Sequence, residues 1–454
     1  WYDCFAQGTI DGFMGYQYQG GQEARGKSKL IMGPWVHGAS RKSGQLKYPE
    51  NALPEFPFEL FVDMIYKYCE DSSYNGPVDY DIWPAVSYYT MSDVDLIDSP
   101  ANEWRFADNW PISDNFVEWY LHENGLLSKD MESNYNSLSY LYDPNNPVPT
   151  KGGQNLILPS GPYDQSSLEN RDDVLVFTSS KLKEPYEATG PIKARLYVSS
   201  DCPDTDFPVK LTDVYPDNRS MLITDGILRM RNRNGFDHWE FIQNNEIYEI
   251  VVDLWSTSYV WNTGHKIRVT ISSSNYPRFL NNPNTDDPIY ENTDIKIAHN
   301  SIYMDSEHPS CIILPEINYP DSNPPYKPST PKGPKTGKLG EEYTYNTQVT
   351  DPDGDHIYII FDWGDGTNTG WIGPYSNNEE IKISHTYLGF GEKNFEIKVK
   401  AKDFNGEQSE WSDPLSVIMP RYKIEPNNVI IKLFEPFPNL FPIIRQIFEM
   451  ILNN

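Results

Sequence analysis

No C-x-x-C pair occurs among the four cysteines, Cys4, Cys69, Cys202 and Cys311, which are scattered along the chain. That spacing argues against a zinc or thioredoxin-type site, and the thiols read as isolated buried side chains rather than a disulfide framework. Basic residues are also scarce: 37 Lys and Arg stand against 65 Asp and Glu, a net charge of −28. A surface of that sign repels phosphate backbones and anionic lipid, so nucleic acid is not an expected partner. No apolar run is long enough to span a bilayer, and no signal or transit peptide is visible. The chain starts at Trp1 and not at Met, which reads as a cut inside a larger product with any export signal upstream. A G-x-S-x-G nucleophile elbow is missing too. Gly26-Lys27-Ser28 and Gly38-Ala39-Ser40 begin the pattern, and neither has the closing glycine. Gly333 to Lys338 hints at a phosphate loop, but the spacing is one short and Leu339 stands where Ser or Thr is needed.

What is present is aromatic and turn-rich. Aromatics make up 14% of the chain, and 37 prolines and 29 glycines punctuate it. This composition suits β-rich, loop-rich domains, and 454 residues leave room for two or three of them. The first stretch carries the chemistry. It opens Trp1-Tyr2-Asp3 and closes Gly33-Pro34-Trp35-Val36-His37-Gly38, with the apolar run Lys29-Leu30-Ile31-Met32 between them as a buried strand. An acid and a histidine on loops beside such a strand are two members of a hydrolase triad: the carboxylate orients the imidazole, and the imidazole takes the nucleophile's proton. In α/β-hydrolases the order is Ser, Asp, His, so the nucleophile is expected before Asp3.

These strings resemble the CocE/NonD hydrolase family, the group that includes cocaine esterase and the X-Pro dipeptidyl-peptidases. In that family a G-W-x-D stretch carries the triad acid and a G-P-W-x-H stretch the base. The resemblance maps Asp3 to the acid and His37 to the base, with Trp1, Tyr2 and Trp35 as candidate pocket walls. It is densest further on, in Gly161-Pro162-Tyr163-Asp164-Gln165, Asp172-Asp173-Val174-Leu175-Val176-Phe177, Pro203-Asp204-Thr205-Asp206-Phe207, Asp213-Val214-Tyr215-Pro216-Asp217, Leu228-Arg229-Met230-Arg231 and Ser272-Ser273-Ser274-Asn275-Tyr276-Pro277-Arg278. The family's C-terminal jelly roll has such strings in this order and helps to wall the substrate pocket. Asp204 and Asp206 are therefore candidate pocket residues, with a backbone-satisfying turn as the competing reading. The insert Ser92–Ala101 departs from the family's shorter link. The family's α-amino ester hydrolases place Glu-Asp two and three residues after the acid to bind an ammonium. Phe5 and Ala6 stand there instead, which leaves general esterase, acylase and X-Pro dipeptidyl-peptidase open.

The expected architecture is mixed. Residues 1–115 form the C-terminal part of an α/β-hydrolase core, with a helix over 54–70 that turns Phe58, Phe61, Val62 and Ile65 to the core and a strand over Trp83–Met91. Residues 116–316 form a β jelly roll, with strands at Ile192–Ser199, Phe207–Val214, Ile247–Leu254 and Lys266–Ile271. Residues 317–335 are a proline-rich, semi-rigid linker. Residues 336–420 resemble a PKD domain, an extracellular immunoglobulin-like β-sandwich, through Asp351-Pro352-Asp353-Gly354-Asp355, Phe361-Asp362-Trp363-Gly364-Asp365-Gly366-Thr367 and Ser384-His385-Thr386-Tyr387. Asp351, Asp353 and Asp355 offer clustered oxygens of the kind Ca2+ takes, although a plain acidic turn is the favoured reading. The tail, 421–454, carries a short amphipathic helix around Leu440–Ile451, too short to span a bilayer, that is expected to dock on its own protein, with a partner or membrane-surface contact as the alternative. The full product is expected to be an extracellular or cell-surface serine hydrolase of ester, amide or peptide substrates that requires no cofactor, with these 454 residues alone inactive for want of the serine and oxyanion hole. The alternatives are a non-catalytic adhesion protein of β-sandwiches, contacting a cell surface or polysaccharide through the PKD-like domain, and a hydrolase split over two chains.

Overall fold

The computed structural model describes residues 1–54, 56–66, 83–131, 136–288, 294–317, 322–389, 393–403 and 406–420. Cys69, the last residues of the helix expected to reach 70, and the expected tail helix lie outside the described residues.

The first unit begins with helix α1, Ala6–Met14, which buries Ala6, Ile10 and Phe13 at the spacing that keeps three side chains on one helical face. Strand β1 (Leu30–Met32) follows, then the small hairpin β2 (Lys42–Ser43) and β3 (Leu46–Lys47), helix α2 (Phe56–Ile65), and strands β4 (Val86–Thr90) and β5 (Glu103–Ala107). Strand β1 runs parallel to β4, with Leu30 opposite Val86, and β4 is antiparallel to β5. A parallel pair needs a long crossover, and residues 33–85, which include α2, make it. Strand β4 is buried along its whole length, as a strand covered on both faces must be. The expected orientation of α2 is wrong. Leu60 and Asp63 turn inward, whereas Phe58 and Phe61 are 71% and 54% exposed. At about 100° per residue, Phe58 and Leu60 lie on nearly opposite sides of the helix, so only one of the two rows can face the core.

The second unit contains β6 (Phe116–Leu121), β7 (Leu127–Ser128), β8 (Ser137–Tyr142), β9 (Leu175–Thr178), β10 (Tyr186–Ser200), β11 (Asp206–Val214), β12 (Ser220–Arg229), β13 (Tyr248–Trp261), β14 (Lys266–Ile271), β15 (Ala298–Tyr303) and β16 (Cys311–Pro315). One sheet runs β7-β6-β16-β10-β15-β8 with β13 also on β10, and the other runs β12-β11-β14-β9. The expected alternation holds: Ile192, Ala194, Leu196 and Val198 of β10 point inward, and Lys193, Arg195 and Tyr197 point away. The first and second units share one continuous apolar core, which reaches from Trp1 and Tyr2 to Leu314. Backbone bonds from Met91 N to Ser258 O (3.0 Å) and Val260 N to Met91 O (2.8 Å) join the end of β4 to β13.

The third unit holds β17 (Glu342–Gln348), β18 (Ile357–Asp362), β19 (Ile372–Tyr375), β20 (Glu380–Thr386), β21 (Lys393–Asp403) and β22 (Leu415–Met419), arranged as β17-β20 and β19-β18-β21-β22. It has its own core, in which Tyr345, Phe361, Trp363, Ile397 and Val399 are buried. The protein is mostly β with little helix. Among the described residues no helix is long and apolar enough to cross a membrane.

Candidate active site

Asp3 lies on the turn that starts α1, and His37 lies on the loop that leaves β1. The two meet: Asp3 Oδ2 is 2.8 Å from His37 Nδ1. The other carboxylate oxygen, Oδ1, accepts the N–H of Phe5 at 2.7 Å. Partial burial pushes the Asp3 carboxyl up, but the Phe5 N–H and His37 outweigh it and hold it below the usual carboxylate range. The anion is thus stable where it must orient an imidazole. With Nδ1 engaged, Nε2 on the far side of the ring is the atom that can exchange a proton with a nucleophile. The His37 side chain is 53% exposed, so that face is open.

The local sequence explains the placement. Trp35 folds back over Gly33, where a β-carbon would lie only 2.4 Å from its ring. Its indole N–H donates to Ala52 O at 2.8 Å, and its ring packs 5.7 Å from that of Trp104. The Trp35 carbonyl accepts the Tyr2 N–H at 2.9 Å, which ties the base loop to the acid loop beside the reacting pair. Trp1 and Tyr2 are both buried; Trp1 Nε1 donates to Tyr89 O at 2.6 Å and the Tyr2 hydroxyl to Leu222 O at 3.1 Å. The acid is therefore anchored to β4 on one side and to β12 of the second unit on the other.

A cavity of about 320 Å³ opens beside Asp3; His37 is not among its walls, although its chain neighbours Val36 and Gly38 are. Its walls include Trp1, Asp3, Phe5, Met32, Trp35 and Gly38. Of the candidate wall residues, Trp1 and Trp35 line this cavity. Tyr2 is not among the lining residues and serves as an anchor instead. Phe5 was not anticipated: it packs edge-on against the His37 ring at 5.6 Å and stays 58% exposed. An aromatic two residues after a candidate acid was the available signal. Thr9 of α1 also faces the cavity, and it was missed because α1 itself was not foreseen.

Asp204 and Asp206 do not line this cavity. Asp204 is fully buried and accepts from Arg231 N (2.8 Å), Arg231 Nε (2.7 Å) and Asn282 Nδ2 (2.7 Å). Asp206 takes both arms of Arg229, at 2.8 and 2.7 Å. Each buried carboxylate is thus paired with an arginine, Arg231 buried and Arg229 partly exposed, as buried charge requires. A similar buried cluster centres on His265, whose Nδ1 lies 2.9 Å from Asp213 and whose Nε2 lies 3.5 Å from Asp93.

For metals, the ligand atoms of Asp3, Cys4 and His37 lie within 4.8 Å of one another, the one such group among the described residues. Burial, and then Asp3, raise the Cys4 thiol and keep it protonated, while Asp3 and His37 are already bonded to each other, so the group suits proton transfer better than ligation. Asp351, Asp353 and Asp355 do not converge in that way. Asp351 Oδ1 accepts the N–H groups of Asp353 (2.8 Å) and Asp355 (3.1 Å), and Asp353 accepts from Asn323 N at 2.7 Å. Asp351 Oδ2 is buried without a hydrogen-bond partner. Cys4, Cys202 and Cys311 are free thiols, the last two buried.

Residues 83–313 match the family model of the X-Pro dipeptidyl-peptidase C-terminal non-catalytic domain. The chain belongs to that family and corresponds to the C-terminal portion of CocE/NonD hydrolases. Cocaine esterase of Rhodococcus sp. (strain MB1 Bresler) is 34% identical over 337 residues, which cover 70% of this chain and 55% of that esterase. Two solved structures share the fold. An aminopeptidase from a marine sediment Thaumarchaeota archaeon has a TM-score of 0.57 at 26% identity, covering 64% of this chain and 49% of that one. An α-amino acid ester hydrolase has a TM-score of 0.59 at 24% identity, covering 70% and 54%. The chain spans about half the length of the curated relatives it matches. Asp3 and His37 lie before the matched domain.

Proposed function

We propose that Asp3 and His37 are the acid and base of a serine hydrolase that cleaves ester or amide bonds, with the nucleophile and oxyanion donors supplied by residues outside these 454. The carrying observation is the 2.8 Å contact between Asp3 Oδ2 and His37 Nδ1, with Asp3 on the wall of a cavity. In this reading His37 takes the proton of the attacking serine through Nε2 and returns it to the leaving group, while Asp3 holds the ring and offsets its positive charge. The sequence similarity to cocaine esterase supports an ester substrate. Phe5 and Ala6 place no charge beside the pair to hold a substrate ammonium, which favours a neutral or aromatic acyl or alcohol group against Phe5 and Trp35. The second unit is then the family's jelly roll, and the third an immunoglobulin-like sandwich of PKD type, an arrangement suited to an extracellular or cell-surface protein. At Asp351, Asp353 and Asp355 the acidic-turn reading is kept over Ca2+. An adhesion protein has no use for an oriented Asp–His pair, so the non-catalytic alternative is not favoured.

A fluorophosphonate probe on the natural polypeptide tests the reading. It should label one serine, outside residues 1–454, and labelling should collapse in His37→Ala. Residues 1–454 by themselves should neither label nor hydrolyse p-nitrophenyl acetate. A labelled serine within these residues would overturn the assignment.

A further inference from the structure

The third unit is docked on the first unit by a buried contact. Trp371, which precedes β19, is 2% exposed and donates its indole N–H to Ser99 O at 2.7 Å. With Tyr358 and Ile360 it forms a separate apolar cluster against Ile97, inside the insert Ser92–Ala101. Lys402 of β21 is 1% exposed, pairs with Glu103 and donates to Pro100 O at 2.6 Å. Lys400 reaches Asp98 at 2.6 Å. The insert thus serves as the seat of the third unit.

One residue connects this seat to the base loop. Asn51 Nδ2 donates to Trp371 O and to Asn102 O, each at 2.8 Å, and its Oδ1 accepts the Tyr89 hydroxyl at 3.0 Å. Its backbone N–H donates to Thr369 O at 3.3 Å, and its carbonyl accepts the Trp104 indole at 2.8 Å. The next carbonyl, Ala52 O, accepts the indole N–H of Trp35 at 2.8 Å. Trp35 is two residues from His37 and bonds to Tyr2, next to Asp3. The approach is close enough that a β-carbon on Gly370, itself at φ +67°, would lie 2.5 Å from Asn51 Oδ1.

We propose that Asn51 is a positioning residue through which the third unit holds Trp35, and with it His37, in register with Asp3. The claim rests on the hydrolase reading of the Asp3–His37 pair. Misplacing a general base by a fraction of its hydrogen-bond length lowers the chemical rate while leaving ground-state binding nearly untouched. The third unit therefore acts as a brace for catalysis and not as a freely tethered binding module.

The experiment uses the natural polypeptide, with Asn51→Ala to remove the hub and Gly370→Val to wedge the loop away from it. Steady-state hydrolysis of p-nitrophenyl acetate is measured with amide exchange of the peptide covering residues 33–39, and a thermal melt verifies that each variant is folded. Asn51→Ala, which creates no clash, serves if Gly370→Val does not fold. The expected result is a roughly ten- to hundredfold fall in kcat with KM changed by about twofold or less, together with faster exchange of the base loop. Folded variants with wild-type kcat and unchanged exchange overturn the proposal. His37→Ala serves as the reference: a wild-type rate that does not depend on His37 overturns the hydrolase reading, and the positioning role falls with it.

Discussion

Gly33 leaves no room for a side chain, because the Trp35 ring occupies the space where a β-carbon would be built. Gly33→Ala should push the indole off Ala52 O and drag His37 with it, lowering kcat by roughly tenfold or more in a folded protein; steady-state kinetics with circular dichroism checks it. That Asp3 and His37 meet could be read from the sequence because their neighbours form short, specific strings in which Gly33 and Trp35 have a steric task. Asp204 and Asp206 could not be assigned in the same way. A carboxylate has the same spelling whether it faces a pocket or an arginine, and only the fold shows that Arg231 and Arg229 arrive there. Removing one member of such a buried pair strands the other. Arg231→Met should therefore cost about 3 kcal/mol or more of stability with little direct effect on the Asp3–His37 contact, measurable by chemical denaturation.

Strands were more legible than helices. Period-two alternation in β10 and β14 pays off only when one face is buried, so pattern and structure coincide there. Helix α1 was missed because Gly8 and Gly12 dilute its pattern and no side-chain cap marks its start, and its three buried residues gain their stability from packing. Helix α2 was foreseen with the wrong face, since the side it buries includes Asp63, which an apolar period does not pick out. One element contact predicts a pH response. His265, near the start of β14, is held between Asp213 of β11 and Asp93 after β4. Burial alone would lower its pKa, but Asp213 and then Asp93 outweigh burial and raise it to about 9. A histidine raised above its unfolded value of about 6.5 contributes stability that is complete below that pH and is lost as pH rises through about 9. Thermal midpoints should therefore fall between those limits in the wild type, and His265→Gln should flatten that dependence.

Among the described residues two large apolar cores, with the smaller Trp371 cluster between them, are joined by a polar seam. Trp1 to Leu314 share one core, so the hydrolase-like strands and the second unit should unfold together, whereas the third unit has its own. The seam is the buried set Lys402, Glu103, Arg105 and Glu187, in which Arg105 Nη1 lies 2.6 Å from Glu187 Oε2. Lys402→Met should weaken docking by about 3 kcal/mol and split a single calorimetric transition into two. This coupling was not legible from the sequence, because it depends on residues some three hundred positions apart, such as Lys400 and Asp98. The proline-rich stretch suggested a spacer between independent modules, and the insert that receives the third unit stood out only as a departure in length.

The central claim is that Asp3 and His37 perform acid–base catalysis. The most direct measurement is the rate of p-nitrophenyl ester hydrolysis by the natural polypeptide and by its His37→Ala variant, both verified as folded. Loss of on the order of a thousandfold or more in kcat is the predicted result, as for removal of a triad base. An unchanged rate in the folded variant would contradict it and leave the 2.8 Å contact as a structural pair only.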